Sequence, residues 1–279
     1  MSLAWHRGAS ASAALEHALG LVREPVPYLR AEVGERRTVA VGAPVEDDAW
    51  VGCGDLLGEP AWLAATMRDT GRCLGTEDPV VGASLFVQNY AYRVLALAVA
   101  GVTIGGVLVD SAPASMAVSM RLGRPSSLAY LDARVATVDP TALRTDRETG
   151  EAVVVALLEI VEVHLAPLVQ AVRATTRVGT RLLWGNVAAS SAVAFRTVEG
   201  VLGPWVRPLG EAFVERSPAP MRGLGAYLLV ERDARHGWFW ERTTCCLYDR
   251  LAAKTRCADC SRTPRAQRRD AYWRALGDD

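Results

Sequence analysis

Residues 78–109 read DPVVGASLFVQNYAYRVLALAVAGVTIGGVLV, and they decide the fold class. Asp78 can accept from the unpaired backbone N–H groups of a first helical turn, and Pro79 fits the first helical position. Apolar residues then recur every three or four positions, at Ala83, Phe86, Val87, Tyr90, Val94 and Leu97, so the spacing predicts a helix. Gly101, Gly105 and Gly106 break that pattern. The β-prone piece Thr103–Val109 reads as a strand. A long helix, a glycine turn and a buried strand in one stretch point to an α+β protein.

The apolar run Val94–Val109 is short for a bilayer and is interrupted by glycines. The first twenty-one residues mix His6, Arg7, Glu16 and His17 with small side chains and lack a continuous apolar core of the secretory kind. The expectation is a cytoplasmic protein with no membrane span. Acidic and basic residues balance at 31 each, so total charge suggests neither nucleic acid nor an anionic membrane as partner. The cations are thirty arginines and a single Lys254, which is ordinary codon bias.

Working outward, Ala11–Val22 and Pro60–Leu74 have helical patterns, with a strand expected at Arg37–Val41. Downstream, Ala117–Arg121 and Leu128–Leu131 complete a small antiparallel sheet, and 139–150 reads as a polar linker. Glu151–Thr175 is apolar nearly all round in its first half, which predicts a central buried helix. Arg181–Leu202 carries a stripe at Trp184, Val187, Ser191, Phe195, Val198 and Leu202 and stops at Gly203-Pro204. A shorter helix at Trp205–Val214 and a turn-rich hinge at 217–225 follow. Ala226–Val230 and Trp238–Trp240 form a hairpin, and 264–276 a last helix. The expected organisation is a mostly helical body over 1–240 and a metal-binding segment over 241–279.

Six cysteines are too few for a disulfide scaffold in this length, and four fall within sixteen residues: Cys245, Cys246, Cys257 and Cys260. The pattern is C-C-x10-C-x2-C. Clustered thiols in a reducing compartment are metal ligands or redox groups more often than disulfides. Two intervening residues let Cys257 and Cys260 reach one metal around a tight knuckle. A [2Fe-2S] cluster takes four thiolates; so does structural zinc; a dithiol could use the C-x2-C pair alone. The adjacent doublet is unusual for zinc and unused by a dithiol, so the spacing favours [2Fe-2S]. Successive strand residues point to opposite faces, so the backbone at Cys245–Cys246 has to leave extended geometry for both sulfurs to converge.

The surrounding segment holds Arg242, Arg250, Lys254, Arg256, Arg262, Arg265, Arg268, Arg269 and Arg274 against six acidic residues. This suits an anionic centre, and it also suits an ordinary solvated surface. Trp238 and Trp240 read as core residues that could also shield the centre. His164 reads as a hydrogen-bonded core histidine, and Cys53 and Cys73 as small apolar residues, wholly or partly buried. Trp184 and Asn186 fit either a pocket wall or helix packing. No G-x-S-x-G arrangement supports a hydrolase.

The cysteine pattern, with Arg242-Thr-Thr-Cys-Cys-Leu-Tyr before it and Cys257-Ala-Asp-Cys260 closing it, resembles the FhuF family of ferric-siderophore reductases. Val81-Gly-Ala-Ser-Leu-Phe with Tyr90 and Arg93, and Arg181-Leu-Leu-Trp184-Gly185-Asn186, are also similar, so the resemblance runs from about residue 60 to 262. It implies that the four cysteines hold a [2Fe-2S] cluster. It implies that the helical body takes a ferric siderophore, hydroxamate in type, and that one electron reduces Fe(III) to Fe(II). Neither a G-x-G-x-x-G after a strand nor a Walker loop is present. The electron is then expected from a separate ferredoxin or flavoprotein reductase, with the basic residues Arg265, Arg268 and Arg269 as its docking candidates. A monomer is expected.

Overall fold

The computed structural model describes residues 3–252 and 256–277; Lys254 lies outside them. The chain opens with β1 (Trp5–Arg7), α1 (Ala9–Arg23), β2 (Arg30–Val33), β3 (Trp50–Gly52), α2 (Cys53–Gly58) and α3 (Pro60–Cys73). The long α4 (Pro79–Thr103) leads into β4 (Val107–Val109), β5 (Met116–Arg121), β6 (Arg124–Tyr130) and β7 (Arg134–Thr137). Helices α5 (Pro140–Thr145), α6 (Arg147–Ile160), α7 (Ala166–Thr175), α8 (Thr180–Leu202) and α9 (Arg207–Arg216) follow. The hairpin β8 (Gly225–Arg232) and β9 (Arg235–Arg242) then precedes α10 (Arg265–Ala275). The protein is α+β and mostly helical.

Helix α4 starts where its sequence places it. Asp78 Oδ1 accepts from Val80 N at 2.9 Å, and Pro79 stands at the first helical position. Most residues from Val81 to Thr103 are buried, so this is the central helix of the fold. The glycine turn after it is real: Gly106 has φ +67°, left-handed backbone that a side chain rarely adopts, and it passes the chain into β4.

α8 lies alongside α4. Asn186 Nδ2 donates to Ser84 O at 2.8 Å and Ser190 Oγ to Gln88 O at 2.8 Å. Both pairs step four residues in the same sense, so the two helices run in the same direction. Their shared apolar surface is the main core, with Phe86, Tyr90, Leu183, Val187 and Phe195 all essentially inaccessible.

Four expectations about the backbone elements need correction. The strands expected in one antiparallel sheet do pair antiparallel, but they fall into two sheets, β1-β7-β4 and β2-β6-β5-β3, and the second is mixed because β2 pairs parallel to β6. The long connection through α2, α3 and α4 is what makes a parallel pairing reachable. Arg37–Val41 is no strand. Only Thr38 bridges to Trp50, because three-residue β3 offers too short a ladder. Residues 139–150 are not a linker. Asp139 caps α5 by accepting from Thr141 N at 2.8 Å, and Asp146 caps α6 by accepting from Thr149 N at 2.9 Å. These acidic caps are the Asp78 signal repeated inside a polar run. Finally, the helix expected over 151–175 starts at Arg147 and exposes Val155 and Val163, so it is a flanking helix.

A π-helical turn, Val161–Leu165, joins α6 to α7 and aims His164 inward. Its Nδ1 pairs with Ser111 O at 2.6 Å. A carbonyl only accepts, so Nδ1 carries the proton, and Nε2 accepts from the Tyr90 hydroxyl at 2.8 Å. Cys53 lies fully buried beside Tyr90, its thiol pushed up to about 12 by burial. Cys73, in contrast to expectation, is exposed.

α4 and the α6–α7 helix are both long and apolar enough to cross a membrane by length and composition. In the fold, 78% and 56% of their most apolar stretches are buried inside the protein.

Candidate metal centre

Strand β9 delivers the chain to the cysteines and stops at Arg242. Trp238 and Trp240 on this strand are buried. Trp238 stacks on Tyr227 with centroids 3.7 Å apart, and Trp240 meets the same ring edge-on. They are core residues of the hairpin. Thr243 and Thr244 bend the chain, and Cys245 and Cys246 follow outside any strand. Leu247 then takes φ +66°. Left-handed backbone is costly for leucine; packing holds it, because Leu247 is buried with Val81, Leu85 and Leu251 in a small core of its own. This core pins the doublet to the first turns of α4.

All four cysteines line one cavity. Cys245, Cys246 and Cys260 are half-buried and Cys257 is exposed. The free space between them is about 10 Å³, the room of one water. Among the described residues no three His, Cys, Asp or Glu side chains are grouped as for a single metal ion. The Cys257–Cys260 knuckle is a tight turn, with Cys260 N donating to Cys257 O at 3.0 Å. The donor set fits a tetrathiolate centre: four thiols from two sequence pairs face a common space, and the Leu247 backbone N–H donates to Cys245 Sγ at 3.3 Å.

Charge around the thiols is arranged in two layers. The first is a buried chain of hydrogen bonds. Arg242, 3% exposed, donates from Nε to Thr244 O at 2.8 Å and from a terminal nitrogen to Asn186 Oδ1 at 2.9 Å. Asn186 Nδ2 also reaches Ser84 Oγ at 2.9 Å, and Ser84 Oγ donates to Cys246 O at 2.7 Å. Burial pushes the Cys246 thiol up, and the Arg242 charge partly offsets it. Burial also raises Cys257, with Asp259 adding to the rise. The second layer is ionic. The enclosed Asp249 carboxylate pairs with Arg262 at 2.9 Å and Arg256 at 3.6 Å, on either side of the knuckle. Arg250 reaches Asp78 at 3.6 Å, tying the loop to the cap of α4.

The arginines singled out as a docking surface have structural duties. Arg265 and Arg269 both pair with Glu241, and Arg268 donates to Arg242 O at 3.1 Å. They hold α10 against β9.

Helix α8 approaches this segment so closely that Gly185 has no room for a side chain. A Cβ there would overlap the Thr244 side chain, one residue before the doublet. Gly185→Ala gains about 1 kcal/mol of helix propensity against overpacking of up to about 3 kcal/mol. A net loss of about 2 kcal/mol is expected, read as a lower urea midpoint at unchanged slope.

A groove opens beside the cysteines, between α4 and α8. Gln88, Asn89, Tyr92, Arg124, Val193 and Tyr248 are among the residues that line its volume of about 250 Å³. Tyr248 also lines the cysteine cavity. Trp184 and Asn186 do not face the groove; both are buried in packing. Sequence reasoning singled out neither Ser84 nor Tyr248, and it missed this groove. The one available signal was that both residues sit inside the stretches carrying the family resemblance.

The family model described as "Ferric iron reductase FhuF-like transporter" matches residues 84–235. The match begins at the serine that holds the Cys246 carbonyl, covers α8 and all but the first turn of α4, and ends before the cysteines. No curated relative matches the chain.

Proposed function

Because this chain belongs to the FhuF-like ferric iron reductase family, we propose that it reduces the iron of an imported ferric siderophore, hydroxamate in type, one electron at a time in the cytoplasm. The observation that carries the reading is the convergence of Cys245, Cys246, Cys257 and Cys260 on one cavity. Those residues would hold a [2Fe-2S] cluster. Such a cluster, when bound, supplies a one-electron couple.

The protein's own contributions follow from the geometry. Four thiols lose their protons on ligation, which concentrates negative charge in a half-buried site. Arg242 supplies fixed positive charge at the cavity wall, and the Leu247 amide points at Cys245 Sγ. Both favour added negative charge there. The chelate is a cage of hard oxygen donors suited to the small ferric ion. Ferrous iron is larger and softer and is held far less tightly, so reduction releases the metal and leaves the chelator intact. The electron is supplied by an external ferredoxin or flavoprotein reductase.

The test is direct. Anaerobically purified protein is expected to be coloured and to contain about two irons and two sulfides per chain. After reduction, addition of a ferric hydroxamate should restore the oxidised spectrum and yield Fe(II) to a ferrous chelator. Colourless protein carrying one zinc overturns the cluster. Reduced protein that ferric hydroxamates fail to reoxidise overturns the substrate.

A further inference from the structure

Resting on that reading, we infer that the ferric chelate docks in the groove between α4 and α8, with Tyr248 as the wall it shares with the cysteine centre. Three observations meet there. The first is position. Tyr248 borders both cavities, so a chelate against one side of it stands a single side chain from the thiols. Electron transfer weakens steeply with distance. The grooves at Trp205, Asp110 and Trp50 share no residue with the cysteine cavity.

The second is unmet hydrogen bonding. Gln88 Oε1 and Asn89 Oδ1 are buried without a partner, and both residues line the groove. A buried acceptor left unpaired costs about 1–3 kcal/mol. Both orphans are acceptors enclosed beside the groove, so an occupant that draws these side-chain amides toward it completes them with donors. The amide N–H groups along a peptide-like chelator backbone are of that kind.

The third is charge. Among the described residues, Arg124 is the one charged side chain lining the groove. Three hydroxamates cancel the charge of a ferric ion, whereas three catecholates leave the complex triply anionic. A triply charged complex loses much of its hydration on entering a mainly apolar groove, with one guanidinium to offset the loss. The groove therefore takes a neutral or singly charged chelate. At about 250 Å³ it is smaller than pockets that enclose a drug-sized ligand, so it seats one face of the complex and leaves the rest in solvent.

Gallium(III) has the charge of ferric iron and resists reduction, so gallium chelates read binding without turnover. Isothermal titration of the full chain with a gallium trishydroxamate is expected to show saturable binding, tighter than that of a gallium tris-catecholate. Val193→Trp, on the groove face of α8, is expected to weaken binding at least tenfold. Val155→Trp, exposed on α6, should leave it unchanged. Gln88→Leu removes one orphan acceptor without filling space and should weaken binding about fivefold; it decides the matter if Val193→Trp does not fold. Unchanged affinity in the folded groove variants, or tighter tris-catecholate binding, overturns the assignment. Fe(II) release is measured in parallel. Wild-type reduction that Val193→Trp does not slow sinks the groove and spares the reductase; neither binding nor reduction sinks both.

Discussion

Asn186→Ala is expected to destabilise the protein by about 4 kcal/mol. Asn186 is wholly buried and joins three segments far apart in the chain. Its Oδ1 is an acceptor for the Arg242 guanidinium, and its Nδ2 donates to Ser84 on α4. Truncation leaves a charged donor short of a partner in a water-poor site, which costs about 2–3 kcal/mol. Loss of the contacts to Ser84 adds about 1 kcal/mol, and the remaining cavity contributes further. The damage is local to the cysteines, because Arg242 also holds Thr244 O and Ser84 also holds Cys246 O. Urea unfolding should show the loss as a lower midpoint at constant slope, and thiol reagents should reach Cys245 and Cys246 faster in the folded variant. A loss under about 1 kcal/mol would show that the chain of hydrogen bonds does not support the site.

Acidification should remove about 3 kcal/mol through one residue, His164. Burial lowers its pKa from 6.5 to about 4, partly opposed by the hydrogen bond to Ser111. Its near neighbours are Tyr90, packed on the ring, and the Ser111 carbonyl; Tyr90 is itself held neutral, its pKa raised by burial. The unfolded chain therefore takes up the proton first. The stability that neutral His164 contributes is fully present above about pH 6.5 and is lost as pH falls toward about 4. Each pKa unit corresponds to about 1.4 kcal/mol. His164→Gln keeps a hydrogen-bonding side chain and removes the titration. Between about pH 7 and about pH 4.5 the wild type should lose more stability than the variant by about 2–3 kcal/mol. Parallel losses would assign the acid sensitivity to other groups.

The elements most legible from sequence were those set by neighbours a turn apart. Asp78-Pro79 marked the start of α4, Gly203-Pro204 the end of α8, and two apolar pieces flanking the charged turn Glu231–Gly237 the hairpin. The same cap chemistry at Asp139 and Asp146 was masked by the polar residues around it, and a linker was expected where two helices begin. The π turn at Val161–Leu165 was invisible because nothing in a periodic apolar pattern marks one added residue. The parallel pairing of β2 with β6 depends on where a long connection returns, which no local rule contains.

The cysteines divide the same way. Residue type and spacing by themselves put forward four thiols in C-C-x10-C-x2-C as donors able to serve a tetrathiolate centre. They also determined that the backbone must turn at the doublet, and Leu247 does so. Tertiary structure alone decided what surrounds the thiols. Ser84 meets Cys246 across 162 residues, and Asn186 meets Ser84 across 102. Caps and periodicity act within about a turn of chain. The Arg242–Asn186–Ser84 chain and the groove walled by Tyr248 arise only when α4 and α8 pack side by side.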